Sequence, residues 1–101
     1  MNTQEQIKAL LEEHHIVLFM KGTPMFPQCG FSAQVAAILG EYHVEFHAVN
    51  VLMDDAIRQG IKVYGNWPTI PQLYVNGEFI GGSDIMTEMY QSGELKKLLG
   101  A

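Results

Sequence analysis

The sequence predicts an α/β fold, and three observations predict it. Ile16-Val17-Leu18-Phe19-Met20 is an unbroken apolar run, which suits a strand covered on both faces better than a half-exposed edge. A helical stripe and a second strand follow it, giving a strand–helix–strand unit whose crossover is expected to be right-handed. Asn76-Gly77 then stands between two short apolar segments, the strongest short hairpin signal, because a type I′ turn needs two positive φ angles. With 101 residues, 48% of them hydrophobic, the chain has room for one domain, residues 1–101, around an ordinary core.

Taken in order, the first helix starts at Thr3-Gln4-Glu5-Gln6, with Asn2 or Thr3 as cap and Ile7, Leu10 and Leu11 at helical spacing, and ends near His14-His15. The strand at 16–20 follows. A second helix is expected over 30–39, with Phe31, Val35, Ile38 and Leu39 as its apolar stripe and Gly40 as its stop. Val44, Phe46, Ala48 and Val49 alternate in part and mark the second strand. Asp54-Asp55 opens a third helix carrying Ile57, Ile61 and Tyr64, its acids placed where the helix dipole favours them, with Gly65-Asn66 beyond its end. Leu73-Tyr74-Val75 and Phe79-Ile80 are the antiparallel hairpin strands. Gly81-Gly82 leads into a helix at Ser83-Asp84, and Gly93 separates it from a short last helix through Leu95, Leu98 and Leu99. There is no internal repeat, low-complexity tract or linker.

Six cationic against eleven acidic side chains give a net charge of −5, which repels phosphate backbones and anionic lipid; neither nucleic acid nor membrane is an expected partner. No apolar run approaches the roughly 20 residues that span a bilayer, and the N-terminus lacks a signal-peptide layout, so a cytoplasmic protein is expected. The single cysteine forbids an internal disulfide, and any cross-link or cluster must recruit thiols from outside.

That cysteine lies in Lys21-Gly22-Thr23-Pro24-Met25-Phe26-Pro27-Gln28-Cys29-Gly30-Phe31-Ser32, between the first strand and the second helix. Alone, it reads as an inert packed thiol. Its surroundings argue otherwise: at a helix start, backbone N–H groups favour the thiolate, and Lys21 offers a cation if the loop folds back over the strand end. Ser32 occupies the place where a Cys-x-x-Cys motif carries its resolving thiol, which excludes an intramolecular dithiol cycle. Trp67-Pro68-Thr69-Ile70-Pro71 is rigid and extended, and an unpaired Ile70 backbone beside Cys29 would accept an extended peptide by strand addition. By base rate alone, its X–Pro bonds are trans.

Arg58 and Lys62 are i, i+4 neighbours of like sign, which repel unless an anion sits between them; ordinary surface solubility is the plainer reading. At Gly82-Ser83-Asp84, free N–H groups of a helix start can hold a carboxylate and Asp84 an ammonium group, or the residues are simply a cap. His14, His15, His43 and His47 have no ligand-like spacing to Cys29 or to an acidic pair, so neither a metal nor a catalytic role is expected of them.

Five ordered landmarks, Phe19-Met20-Lys21-Gly22-Thr23-Pro24, Cys29-Gly30-Phe31-Ser32, Arg58-Gln59-Gly60-Ile61-Lys62, Asn66-Trp67-Pro68-Thr69-Ile70-Pro71-Gln72 and Gly77-Glu78-Phe79-Ile80-Gly81-Gly82-Ser83-Asp84, make the chain resemble the monothiol glutaredoxins of the Cys-Gly-Phe-Ser type over almost its whole length. The resemblance implies a thioredoxin-like fold with a four-stranded mixed sheet flanked by helices, a cis Ile70–Pro71 bond, and glutathione in a cleft. On matching positions it implies that Lys21, Arg58 and Lys62 face the glycyl carboxylate and that Ile70 pairs with the cysteinyl backbone. It further implies that Ser83 and Asp84 hold the γ-glutamyl end, and that Cys29, Phe31, Pro71 and Gly82 complete the site. Many family members carry cysteine where this chain has Ser83, so a second thiol is missing here.

A [2Fe–2S] cluster needs four ligands, usually thiolates, and one chain supplies one. Two chains and two glutathione thiols make four. The leading expectation is therefore a homodimer bridged by a cluster on Cys29, delivering it to apo iron–sulfur proteins; the resemblance adds BolA-like partners. The alternative is a weak glutathione-dependent oxidoreductase in which Cys29 attacks a glutathionylated substrate and a second glutathione resolves the mixed disulfide. A third reading is an adaptor whose cysteine is incidental.

Overall fold

The computed structural model describes residues 2–101. Helix α1 (Thr3–Glu13) begins where the Asn2 side chain accepts from the Glu5 N–H at 2.9 Å, and it turns Ile7 and Leu11, one helical repeat apart, into the core. Strand β1 (Ile16–Met20) is buried at all five positions. It lies inside a four-stranded sheet of order β2-β1-β3-β4, parallel to β2 (His47–Asn50) and antiparallel to β3 (Gln72–Val75), which pairs in turn with β4 (Glu78–Gly81).

The period-2 alternation of a strand explains why β1 must be apolar throughout. Ile16, Leu18 and Met20 belong to a core with Val35 and Leu39 of α2 (Gly30–Glu41), Met86 of α4 (Ser83–Ser92) and Leu95 of α5 (Glu94–Leu99). Val17 and Phe19 belong to a second core with Ile7, Leu11 and Ile57 and Ile61 of α3 (Asp55–Tyr64), closed by Tyr74. Each such side chain contributes about 1.5–3 kcal/mol by leaving water.

Two boundaries differ from those read in the sequence. Helix α2 runs through Gly40 to Glu41, and the left-handed position falls on His43, at φ 55°, a residue type that tolerates that region better than most. Strand β2 begins at His47 because its ladder pairs Val17 with His47; Val44 and Phe46 pack on the α2 side of the core without joining the sheet. A 3₁₀ turn, Val51–Met53, follows, capped by Asn50, whose Oδ1 accepts from the Leu52 N–H at 3.0 Å and the Gly22 N–H at 2.9 Å. Helix α3 is capped by Asp54, accepting from the Ile57 N–H at 3.2 Å. The hairpin turn has φ 52° at Asn76 and 80° at Gly77, the two positive angles a type I′ turn requires.

Candidate functional site

The loop after β1 closes on itself. The Gln28 N–H donates to the Lys21 carbonyl at 2.9 Å, Gly22 bridges to Pro27, and Thr23 and Phe26 exchange backbone bonds at 3.1 and 3.2 Å. Gly22 has φ 91°, and a Cβ there would stand 2.5 Å from the Phe26 carbonyl oxygen and 2.7 Å from the Gln28 nitrogen, so only glycine fits. This closure brings Cys29 back over the end of β1, as contact with Lys21 requires.

Cys29 is the N-cap of α2, and its Sγ accepts from the Ser32 N–H at 3.3 Å. The Ser32 hydroxyl, fully buried, lies 3.3 Å from the same sulfur while its oxygen accepts from the Lys21 N–H at 3.0 Å. Burial pushes the Cys29 thiol up, but the Ser32 hydroxyl, the N–H groups of Ser32 and Phe31 and the Lys21 charge outweigh it, so the pKa falls below the ordinary thiol value. This corner of the fold therefore shifts the balance toward the thiolate relative to a free thiol. Ser32, read in the sequence only as a missing second thiol, is a direct partner of the sulfur. Its signal was available: the third residue after an N-cap is the one whose N–H the cap accepts.

Beside the sulfur lies a cleft of about 420 Å³. Lys21 and Phe31 form one side, Lys62 of α3 another, residues 68–71 the floor, and Ser83 and Asp84 of α4 the far end. The Ile70–Pro71 bond is cis, as the resemblance implied and against the base rate. Ile70 is 7% exposed, and its backbone N–H and C=O make no hydrogen bond among the described residues. Gly82 is the N-cap of α4 with no side-chain cap, and a Cβ there would lie 3.3 Å from the Pro71 carbonyl oxygen and 3.3 Å from the Trp67 indole nitrogen, so the helix start abuts the 67–71 segment. The first N–H groups of α4 thereby open onto the cleft.

The structure thus brings Lys21, Phe31, Lys62, Ile70, Pro71, Ser83 and Asp84 around one cleft, with Gly82 behind it; Cys29 does not line the cleft but neighbours two residues that do, Phe31 through its N–H and Lys21 through its charge. Arg58 is not on the cleft wall; it sits one turn before Lys62, half-buried, with its Nε buried and unpartnered among the described residues. Pro68 and Thr69 line the floor and were not assigned to the site from the sequence. The histidines lie elsewhere: His14 stacks on His47 with ring centroids 4.0 Å apart, His15 bonds the Asn76 side chain through Nδ1 at 2.5 Å, and both groups border a separate open hollow with Glu13 and Glu45. Among the described residues no three His, Cys, Asp or Glu side chains converge as metal ligands, and no helix is long and apolar enough to cross a membrane.

Residues 16–80, which include the loop, the sulfur and the cleft floor, match the glutaredoxin family model. An uncharacterized monothiol glutaredoxin from Synechocystis is 56% identical over 97 residues, covering 96% of this chain and 91% of the relative. Monothiol glutaredoxin-4 of Schizosaccharomyces pombe is 48% identical over 94% of this chain but only 39% of its own length, so the same unit also occurs inside a longer protein. The solution structure of reduced poplar apo GrxS14 superposes with a TM-score of 0.81 at 50% identity, covering 93% of this chain and 86% of that one. With one thiol at the start of α2, a serine where a second thiol would stand, and these relatives across nearly its full length, the chain belongs to the glutaredoxin family, in its monothiol branch.

Proposed function

We propose that this chain binds glutathione in the cleft and, paired with a second copy, holds a [2Fe–2S] cluster that it passes to acceptor proteins. One observation carries the reading: a single, partly exposed thiol, its pKa lowered by its neighbours, stands beside a cleft whose charges match a small zwitterionic peptide. Glutathione has two carboxylates and one ammonium group. Lys21 and Lys62 suit the glycyl carboxylate, with Arg58 one turn behind them. The free Ile70 backbone suits the cysteinyl backbone, as in strand addition. The N–H groups at Ser83 and Asp84 suit the γ-glutamyl carboxylate, and the Asp84 side chain its ammonium group.

The donor count is compatible with a shared cluster: one chain offers Cys29 alone, and two chains with two glutathione thiols make four. Met25 and Phe26 on the closed 22–28 loop and Phe31 in the first turn of α2, exposed at 83%, 70% and 62%, flank the sulfur in sequence, which favours a protein partner at this end. Such a partner is a second copy in the cluster-bound dimer, with a BolA-like protein or an apo iron–sulfur protein as exchange partner. Because two of the four ligands are dissociable small molecules, the cluster can leave.

Anaerobic reconstitution with iron, sulfide and glutathione tests this, followed by visible absorption and mass. A coloured dimer is expected, and Cys29→Ser should abolish it; a colourless monomer, or wild-type loading in Cys29→Ser, would overturn the reading.

The lowered thiol pKa favours a second activity of the same residue. The Cys29 thiolate attacks the glutathione sulfur of a glutathionylated protein, forming a Cys29–glutathione disulfide and releasing the protein thiolate. A second glutathione thiolate then attacks that disulfide, giving oxidised glutathione and free Cys29. No second protein thiol is needed, and turnover lost in Cys29→Ser is the measurement that promotes it.

A further inference from the structure

Gln72 is a polar residue in the wrong place for a purely structural strand. It opens β3, is 0% exposed, and is followed by the buried run Leu73, Tyr74 and Val75. A carboxamide moved into such surroundings is destabilising unless its hydrogen-bonding groups are met. They are met in a particular way. Nε2 donates at 3.1 Å to the Trp67 carbonyl and at 3.1 Å to the Thr69 carbonyl, and Oε1 accepts from the Tyr74 hydroxyl at 2.9 Å. Both donors of the amide are spent on backbone carbonyls of the segment that floors the cleft.

The network extends to the other walls. The Trp67 N–H donates to the Lys62 carbonyl at 3.0 Å, tying the floor to the end of α3, and the Trp67 indole nitrogen lies against Gly82 at the start of α4. Gly65 makes room: a Cβ there would stand 2.4 Å from the Tyr74 hydroxyl and 2.9 Å from Gln72 Oε1. On the opposite side Gln72 is held by its ladder partner Phe19 of β1, so the carboxamide grips a pliable, non-repetitive segment from a rigid strand.

We propose that Gln72 is a positioning residue for the cleft: by holding the Trp67 and Thr69 carbonyls it fixes the course of residues 67–70, keeping the Ile70 backbone turned to the ligand and Lys62 at the rim. This rests on the glutathione reading above for its ligand, while its structural half stands apart from it. Gln72 touches no ligand itself; it acts through Thr69, Ile70 and Lys62.

The experiment compares wild type, Gln72→Met and Tyr74→Phe, full-length and reduced, by titration with reduced glutathione, amide hydrogen exchange and denaturant unfolding. Gln72→Met keeps volume but strands both carbonyls; glutathione affinity is expected to fall about tenfold or more. Exchange at the Trp67 amide is expected to accelerate about tenfold or more, beyond any change at Leu18 and Phe19. Tyr74→Phe leaves both amide donors in place and is expected to stay within about twofold of wild type in affinity. If Gln72→Met loses only global stability, with affinity kept and the Trp67 amide slowing or accelerating in step with β1, the proposal is overturned. If wild type binds no glutathione, the ligand reading fails, and selective or uniform exchange at Trp67 still decides for or against the positioning role. Should Gln72→Met not fold, Gln72→Asn keeps an uncharged amide but shortens its reach by one methylene, loosening its hold on both carbonyls, and is read the same way.

Discussion

A serine does more here than occupy the place of an absent thiol. Ser32 Oγ is shared between the Lys21 N–H and the Cys29 sulfur, so it couples the end of β1 to the nucleophile. Ser32→Ala removes the hydroxyl contact that lowers the thiol pKa and leaves the Lys21 N–H without its acceptor. The midpoint of thiolate formation, followed by ultraviolet absorbance against pH, should move up toward the free-thiol value, with stability down by about 1–3 kcal/mol. An unmoved midpoint would remove Ser32 from the site. Lys62→Glu, on the cleft rim, should weaken glutathione by about tenfold or more while leaving the thiol midpoint in place, since no Lys62 contribution reaches Cys29. Calorimetric titration at two salt concentrations checks both the loss and its electrostatic origin.

Among the elements, the loop over 22–28 is the one that turns a sequence neighbour into a spatial one. Gly22→Ala would place a Cβ against two backbone atoms in a left-handed conformation. The expected result is a loss of about 1–3 kcal/mol in denaturant unfolding, with the Cys29 midpoint raised as the loop is displaced. At the other end of the sheet, the end of α1 meets β2 through the His14–His47 stack. Burial and the neighbouring His14 push His47 below the ordinary imidazole value, partly offset by Glu13; His15 and Glu45 face the same hollow. A depressed histidine binds its proton less readily folded than unfolded. Its stabilisation is full above the unfolded pKa, about 6.5, and is lost as pH falls through the folded one. His47→Gln should therefore flatten the acid side of the stability–pH curve; thermal unfolding between about pH 7 and 5 measures it.

Local signals made most of these elements legible. The helix starts at Asn2-Thr3 and Asp54-Asp55, the apolar run of β1 and the Asn76-Gly77 turn each act within a few residues, and each stands where it was expected, with Asn2 and Asp54 as the caps. The start of β2 was misplaced because it depends on pairing across the sheet: the Val17–His47 register decides where β2 begins, and Val44 and Phe46 look like strand residues without it; the end of α2 was misplaced because the left-handed position fell on His43 rather than Gly40. At the candidate site, the place of Cys29 at a helix start was readable from local signals, whereas spacing and charge left Lys21, Ser83 and Asp84 open and only the resemblance drew them to one cleft. Gln72 was not, since its partners are carbonyls of a non-repetitive segment that no periodicity places.

At the scale of the whole molecule, two cores share the central strands β1 and β3. Ile16, Leu18 and Met20 face α2, α4 and α5, while Val17 and Phe19 face α1 and α3. Loop lengths elsewhere can drift with modest cost, because closure entropy grows slowly with length. The spacing inside β1 has no such slack. Deleting Leu18 would send every later residue of the strand to the opposite face, trading Phe19 and Met20 between two cavities of different shape and carrying Lys21 away from Cys29. Circular dichroism and thiol titration of the single-residue deletion should show loss of the fold, whereas Leu18→Ala should only weaken it, by about 2–5 kcal/mol. The reading frame of five residues, more than the identity of any one of them, is what this architecture cannot exchange.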